Sequence, residues 1–316
     1  MTAPSLSLRY YQEAAINGVR SRYIAGERAA LVVLPTGTGK TFTALNMARM
    51  TVENGGRVMW IGHRSELVEQ PLDAWRSVPG LAAGEGGIVQ GGRNDYASAL
   101  VCASTQTVGR NPLEPGSRLR QVLQSDASPV RLVVVDECHH YPDDGRGQFA
   151  ELIQAIDTIT DEAGLPRVRL LGLTATPERA DGRSIGGIWG DEPASVYTYQ
   201  QAVDDGFLVE PKIVLDRVPL DDETEAAIAA ARDAGGCSAD GEYSDGALRE
   251  IAKQLVSAGI SAHAAARMAE WPGRKWLVFC SDVEQCKDQD SALRDAGMTC
   301  AVITGSTPKA QRRALL

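Results

Sequence analysis

A short apolar run that ends in a glycine-rich turn constrains the fold of this chain more than any other feature. Residues Ala30 to Pro35 are apolar, and Thr36-Gly37-Thr38-Gly39 follows them directly. Lys40 to Glu53 then has a helical pattern that stops at Asn54-Gly55-Gly56. A buried strand, a tight glycine turn and a helix in this order are typical of an α/β domain with a mostly parallel sheet.

The same alternation of apolar runs and helical segments continues along residues 1–210, which we predict to form a first domain. Continuous apolar runs indicate strands that are buried on both faces of a sheet. Further strands are predicted at Arg57 to Gly62, Ala99 to Ser104, Arg131 to Glu137 and Arg169 to Ala175. One stripe of apolar residues predicts a helix that covers this sheet, formed by Phe149, Leu152, Ile153, Ile156 and Ile159.

Residues 211–316 are predicted to form a second and incomplete α/β domain, after a stretch rich in glycine and aspartate. Its predicted helices are Asp222 to Ala234, Asp245 to Ala258, Ser261 to Glu270 and Asp282 to Ala296. Its predicted strands are Lys275 to Cys280 and Thr299 to Thr304. Two strands are too few for a complete doubly wound sheet, so we expect only part of such a domain.

Composition and charge exclude several classes of protein. With 43% hydrophobic and 23% charged residues, the 316-residue chain has the composition of a globular protein rather than of a disordered or fibrous one. No apolar run approaches the roughly 18 residues of a membrane span, and the start lacks a secretory signal pattern, so we expect a cytoplasmic protein without membrane contact. The net charge of −9 disfavours nucleic-acid binding unless positive charge is concentrated locally.

The glycine-rich turn has the residues that a phosphate-binding loop requires. Its backbone amides and the following helix N-terminus can face phosphates. Lys40 can reach the β- and γ-phosphates of ATP, and Thr41 can bind Mg²⁺. Leu34 occupies the first glycine position of the usual pattern. The predicted phosphate contacts are Thr36, Gly37, Thr38, Gly39, Lys40 and Thr41.

A pair of carboxylates follows the predicted strand that ends near residue 137. Asp136 comes 96 positions after Lys40 (136 − 40), which leaves room for intervening strands and helices. Ligands of parallel sheets bind at the carboxyl ends of strands, so this pair can meet the phosphate loop there. We predict that Asp136 holds Mg²⁺ and that Glu137 orients or deprotonates the attacking water.

These segments together resemble the motifs of superfamily 2 helicases of the DEAD/DEAH-box (DExH) group. Asp136-Glu137-Cys138-His139 resembles the DExH box, and Pro35 to Thr41 resembles motif I. Leu173 to Pro177 is similar to motif III, which implies that Thr174 and Thr176 couple the nucleotide state to the nucleic acid. The resemblance implies a P-loop NTPase with a RecA-like sheet, followed by a partial second RecA-like domain.

Leu8-Arg9-Tyr10-Tyr11-Gln12 is similar to the Q-motif segment of the XPB-like and RadD-like branch. This similarity implies that Arg9 and Gln12 contact adenine, and an amide side chain can indeed both donate to and accept from an adenine edge. Tyr10 stands where that branch usually has proline. ATP and Mg²⁺ are therefore the expected cofactors.

Other segments resemble the motifs that contact the sugar-phosphate backbone. Trp60 to Gln70 resembles motif Ia, and Ser104 to Thr107 resembles motif Ic. Leu277 to Ser281 resembles motif IV, and Ile303 to Ser306 resembles the next helicase segment. The residues that these likenesses imply as nucleic-acid contacts are His63, Arg64, Ser104, Thr105, Gln106 and Gly305. The similarity to the XPB-like and RadD-like branch implies that the bound nucleic acid is DNA rather than RNA.

Three functions remain open from the sequence. The first is an ATP-dependent helicase or translocase that moves on DNA or RNA. The second is a catalytically weak module that binds ATP and nucleic acid, or a split subunit, since no counterpart of motifs V and VI is found and a second chain would supply them. The third is the motor of a restriction system, because type III-like translocases share these motifs.

Overall fold

A single mixed sheet organises the first part of the chain in a computed structural model. The structure divides into two units, Met1–Pro211 and Lys212–Leu316. The residues that it describes are 7–62, 65–141, 148–176, 186–190, 192–213, 215, 218, 220–234, 245–257 and 259–315.

The sheet lies in the first unit and has eight strands within the described residues. They are β1 (Ala29–Val33), β2 (Arg57–Gly62), β3 (Gly86–Gln90), β4 (Arg93–Asn94), β5 (Leu100–Ser104), β6 (Val130–Val135), β7 (Arg169–Thr174) and β8 (Ser195–Val196). Their order is β4-β3-β5-β2-β6-β7-β1-β8, and every pair is parallel except β3 with β4. The predicted α/β class with a mostly parallel sheet is confirmed. The sequence did not predict β3, which begins with two glycines, or the two-residue strands β4 and β8.

Helices cover both faces of the sheet. They are α1 (Tyr10–Ile24), α2 (Lys40–Glu53), α3 (Ser65–Ser77), α4 (Thr105–Val108), α5 (Arg118–Leu123), α6 (Gln148–Glu162), α7 (Gly186–Trp189) and α8 (Tyr199–Asp204), and a 3₁₀ turn spans Cys138–His140. Ala30 and Val32 face the core formed with α1, α2, α3 and α8, whereas Leu31 and Val33 face the core formed with α4 to α7. Because both faces are buried, the central strands are mostly apolar, and their arginines lie at or near the start of the strand.

The apolar stripe predicted for residues 149–159 is confirmed. It lies on α6, and all five of its residues are buried in the core on one face of the sheet. Helix α6 therefore covers one face of the sheet and does not cover the carboxyl ends of the strands, where loops follow.

Strand β7 determines which loops meet at the carboxyl edge. It pairs with β1, where Thr174 lies opposite Val33, and with β6, where Gly172 lies opposite Val135. The loops that follow β1 and β6 therefore lie on either side of the end of β7. Loops at the carboxyl ends of parallel strands are where α/β proteins bind ligands.

The second unit is helical in its described residues, where no strand ladder is formed. Its helices are α9 (Asp222–Ala234), α10 (Asp245–Ser257), α11 (Ile260–Ala269), α12 (Val283–Asp295) and α13 (Lys309–Leu315). The strand predictions at residues 275–280 and 299–304 are wrong. Among the residues that the structure describes, neither segment has a neighbouring strand to hydrogen-bond with, and Leu277 and Phe279 are exposed. In neither unit does a described helix have the length and apolar character needed to cross a membrane.

Candidate functional site

The glycine-rich turn after β1 depends on two glycines in the left-handed backbone region. Gly37 and Gly39 both have φ of +88°. A Cβ atom at Gly39 would lie 2.6 Å from Nε2 of Gln12, and one at Gly37 would lie 3.2 Å from Cδ2 of Leu208. Only glycine allows both this backbone conformation and this close approach. Gly39 also caps α2, so the helix N-terminus opens into the turn.

Lys40 lies in the first turn of α2 with its side chain buried. Its Nζ atom is 3.3 Å from Oε1 of Glu137 and forms no hydrogen bond with the described residues. An ammonium group carries three donors, and the ion pair with Glu137 satisfies none of them with hydrogen-bond geometry, so a further anion would stabilise the buried charge. The structure thus brings the predicted Lys40 and Glu137 together.

Asp136 follows β6 and is also buried. Its Oδ1 atom accepts a hydrogen bond of 3.1 Å from the backbone N–H of Glu137. Burial and, to a smaller extent, the negative charge of Glu137 raise the pKa of Asp136 to about 6, although Lys40 and the hydrogen bond from the Glu137 backbone oppose the shift. A bound cation would relieve the cost of keeping this carboxylate ionised.

Glu137 has an unusual backbone conformation for a residue with a side chain. Its φ is +49°, a left-handed conformation that costs on the order of 1 kcal/mol or more outside glycine. The conformation turns the chain sharply after β6 into the 3₁₀ turn Cys138–His140. As a result, one carboxylate oxygen of Glu137 faces Lys40, and the other lies 3.4 Å from Nδ1 of His139.

His139 connects this carboxylate to the end of β7. Its Nδ1 atom is 2.9 Å from Oγ1 of Thr174. The Thr174 hydroxyl donates to the carbonyl of Thr176 and accepts from the backbone N–H of Thr176. Since that hydroxyl has one proton, His139 must donate from Nδ1. The predicted residues Thr174 and Thr176 are therefore linked to Glu137 through His139.

The predicted adenine contacts lie beside the phosphate loop. Oε1 of Gln12 accepts from the backbone N–H of Arg9 at 2.9 Å, and Nε2 of Gln12 donates to the carbonyl of Thr38 at 3.0 Å. The Thr38 hydroxyl donates to the carbonyl of Pro35, so it is engaged within the loop. Thr36 is exposed, and Thr41 is half-buried in the first turn of α2.

The predicted nucleic-acid contacts differ in their exposure and in their hydrogen-bond partners. The Ser104 hydroxyl caps α4, and the buried Thr105 hydroxyl bonds the Tyr141 hydroxyl, so both are engaged internally. Gln106 is exposed. Gly305 lies in the second unit, and His63 and Arg64 fall outside the described residues.

A groove next to Gln106 contains basic residues that the sequence did not identify. Its volume is about 540 Å³, and its walls include Gln106, Arg110, Glu114 and Arg118. Neither arginine pairs with a carboxylate among the described residues, and Arg118 donates to the carbonyl of Gly91 at 2.5 Å. The available signal was two arginines, Arg110 and Arg118, that follow the motif Ic-like segment in the sequence. We call this cavity the arginine groove.

Aromatic residues from the end of the first unit pack against the start of α1, beside the phosphate loop. Tyr197 stacks on Tyr11, and Phe207 lies edge-on to Tyr11 and under the guanidinium of Arg9. The sequence does not predict this contact, because the glycine- and aspartate-rich stretch before residue 211 has no regular strand or helix pattern. Part of that stretch instead forms β8 and α8 and returns to the start of α1.

Comparison with known proteins gives the following relatives. Residues 5–179 match the family described as "Type III restriction enzyme, res subunit". The chain is 27% identical to the type I restriction enzyme EcoAI endonuclease subunit of Escherichia coli, over 91% of the chain and 34% of that protein. It is 26% identical to a Schizosaccharomyces pombe protein provisionally named mitochondrial ATP-dependent helicase irc3, over 99% of the chain and 47% of that protein. It is 27% identical to a Haloarcula marismortui protein provisionally named DNA 3′-5′ helicase Rad25, over 91% of the chain and 39% of that protein. The chain thus spans less than half the length of each relative.

We predict that Asp136→Asn stabilises the nucleotide-free protein at neutral pH. The raised pKa of about 6 means that the folded state holds its proton more tightly than the unfolded state. The ionised Asp136 side chain therefore lowers the free energy of unfolding. This destabilisation is absent below about pH 4, grows as the pH rises to about 6 and is constant above that value. Urea unfolding at pH 7.5 should show a gain on the order of 2 kcal/mol that shrinks at pH 4.5.

Asp161→Asn, which removes the same charge from an exposed position on α6, is the matched control and should leave the free energy of unfolding at pH 7.5 nearly unchanged. An Asp136→Asn protein that is no more stable than the wild type at pH 7.5 would contradict the assigned burial cost.

Proposed function

We propose, from the premise that this chain belongs to the type III restriction enzyme res subunit family, that it is the ATP-hydrolysing part of a DNA helicase or translocase. The resemblance to superfamily 2 helicases of the XPB-like or restriction type is confirmed by this family match and by the helicase relatives. The activity, the substrate and the site residues are proposals, because the chain spans less than half of each relative compared.

One observation carries the proposal. The buried ammonium of Lys40 lies 3.3 Å from the carboxylate of Glu137, although Lys40 begins α2 after β1 and Glu137 follows β6. Asp136 lies buried beside Glu137 at the same edge. One cation and two carboxylates at the mouth of a glycine turn are the arrangement that phosphoryl transfer requires.

The residues at this edge fit a magnesium-bound triphosphate. Lys40 has a buried ammonium with no hydrogen-bond acceptor among the described residues, and phosphate oxygens would supply acceptors. Thr41 and Asp136 carry the hard oxygen ligands that Mg²⁺ prefers. Mg²⁺, when bound, neutralises charge that develops on the phosphate oxygens. Asp136 can hold it only when ionised, so occupancy should fall at acid pH.

Each side chain has a distinct role in the proposed hydrolysis. The amides of the glycine turn and Lys40 hold the phosphates in place. Glu137 is oriented by its left-handed backbone and by His139, and it accepts a proton from the attacking water.

Coupling to DNA is proposed to run through β7. His139 links Glu137 to Thr174, and Thr174 holds the backbone of Thr176 beyond the strand. A change at the γ-phosphate that moves Glu137 would therefore move the segment after β7. DNA is proposed as the ligand because a relative is provisionally named a DNA helicase.

The arginine groove is proposed to bind the DNA backbone. Gln106 lies in its wall, and the Arg110 and Arg118 guanidiniums have no carboxylate partners among the described residues. By contrast, Arg120 on the same helix as Arg118 pairs with Glu162. Unpaired arginines supply the local positive charge that the net charge of −9 makes necessary.

A second candidate function is the motor of a restriction system. It is favoured by the family match and by the identity to a type I restriction enzyme subunit over 91% of the chain. A motor of this kind would move along duplex DNA without separating the strands. Displacement of a triplex-forming oligonucleotide without strand separation would favour it, and ATP-dependent strand separation would favour a helicase.

We predict that the purified chain hydrolyses ATP with Mg²⁺ and that duplex DNA increases the rate. Glu137→Gln should lower kcat by about 100-fold or more and retain ATP binding, because it removes only the base. Lys40→Ala should also weaken ATP binding, because it removes a phosphate contact. Steady-state phosphate release and a fluorescent-nucleotide titration measure the two effects.

Glu151→Gln on α6 is the control, since Glu151 is exposed and takes part in none of the site contacts given above for the described residues. Wild-type rates in both the Glu137→Gln and the Lys40→Ala proteins would place any observed hydrolysis outside this site.

We also predict that Arg110→Gln and Arg118→Gln weaken DNA binding and flatten its salt dependence. Each phosphate contact that is lost should reduce the slope of log K against log salt by about one. Fluorescence anisotropy at several salt concentrations measures the slope. Arg20→Gln on α1 makes the same charge change elsewhere, and equal slopes for Arg20→Gln and the groove variants would exclude the groove as a DNA site.

A further inference from the structure

We propose that Tyr11 is a positioning residue that couples recognition of the base to the phosphate loop. The inference rests on the proposed ATP site and goes beyond it, because it assigns a task to a residue that touches neither phosphate nor metal in that scheme. Its hydroxyl lies between the side chain of Arg9 and the backbone of Thr38.

Two side chains of α1 converge on one carbonyl of the phosphate loop. The Tyr11 hydroxyl donates to the carbonyl of Thr38 at 2.8 Å, and Nε2 of Gln12 donates to the same oxygen at 3.0 Å. The Tyr11 hydroxyl also accepts from Nη1 of Arg9 at 3.0 Å. Both proposed adenine contacts are therefore connected to Thr38, Gln12 directly and Arg9 through Tyr11.

The Thr38 carbonyl controls the direction of an amide in the loop. The peptide between Thr38 and Gly39 is planar and trans, so its C=O and N–H groups point in opposite directions. Holding the carbonyl toward α1 therefore aims the Gly39 N–H away from α1. Gly39 has no side chain to resist rotation of this peptide, so the two hydrogen bonds are its restraint.

The Tyr11 ring is held in place from the other side. It is buried and stacks on Tyr197 with a centroid distance of 4.1 Å and an interplanar angle of 7°. The Tyr197 hydroxyl donates to Asp205 at 2.6 Å, and the Phe207 ring lies 5.4 Å from the Tyr11 ring. A ring fixed in this way can transmit a change at Arg9 instead of absorbing it.

A base that engages Arg9 and Gln12 would thus stabilise the loop geometry that receives the phosphates. The consequence is a coupling free energy between the base and the phosphates of one ligand. The Tyr11 hydroxyl increases the affinity for a ligand that carries adenine more than the affinity for a ligand without a base. Loss of the hydroxyl should therefore penalise ATP more than a bare triphosphate.

The test compares Tyr11→Phe with the wild type in titrations with ATP and with inorganic tripolyphosphate, both with Mg²⁺. Removal of one hydrogen bond should weaken ATP binding by about three- to tenfold. Tripolyphosphate binding should change less, so that the ratio of the two affinities falls. A purely structural role would leave this ratio unchanged.

Tyr23→Phe is the matched control. Tyr23 is buried on the same helix, and its hydroxyl donates to the carbonyl of Leu170 at 2.8 Å, which belongs to β7 and not to the phosphate loop. The proposal expects the wild-type affinity ratio in Tyr23→Phe. A wild-type ratio of the ATP and tripolyphosphate affinities in Tyr11→Phe would overturn the proposed coupling but not the proposed ATP site. A wild-type chain that binds no ATP would overturn both.

Discussion

The approach of one buried ammonium to a pair of carboxylates is the constraint on which the candidate site depends. Lys40 and Glu137 reach each other because the loops after β1 and β6 flank the end of β7. The arrangement is costly without a ligand, since burial raises the pKa of Asp136 and Glu137 holds a left-handed backbone. Costs of this kind persist where a ligand relieves them, and a magnesium-bound triphosphate would relieve these.

Contacts extend from this centre in two directions. On one side, His139 joins Glu137 to Thr174 at the end of β7. On the other side, Tyr11 and Gln12 hold the Thr38 carbonyl of the phosphate loop. The proposed hydrolysis centre is therefore connected to a proposed coupling segment and to a proposed base site. The two connections use different residues, His139 in one and Tyr11 with Gln12 in the other.

Much of this could be predicted from sequence where the signal is local. The glycine turn before α2, the apolar strands and the stripe on α6 each follow from one short segment. The contact of Tyr197 with Tyr11 could not be predicted, because it joins residues far apart through the two-residue strand β8. Resemblance to motif Ic did not reveal that the Thr105 hydroxyl is engaged with Tyr141. The apolar residues 275–280 predicted a strand, but a strand also needs a neighbour, which local sequence cannot specify.

The central claim concerns Lys40, which is the only lysine among residues 1–211. An acyl-phosphate derivative of ATP transfers its acyl group to a lysine near the bound phosphates, and peptide mass spectrometry then identifies that lysine. The account predicts that Lys40 is acylated, that excess ATP with Mg²⁺ prevents the reaction, and that labelling of the other five lysines is not protected. Acylation that spares Lys40, or that ATP does not suppress at Lys40, would contradict the proposed meeting of this ammonium with a nucleotide.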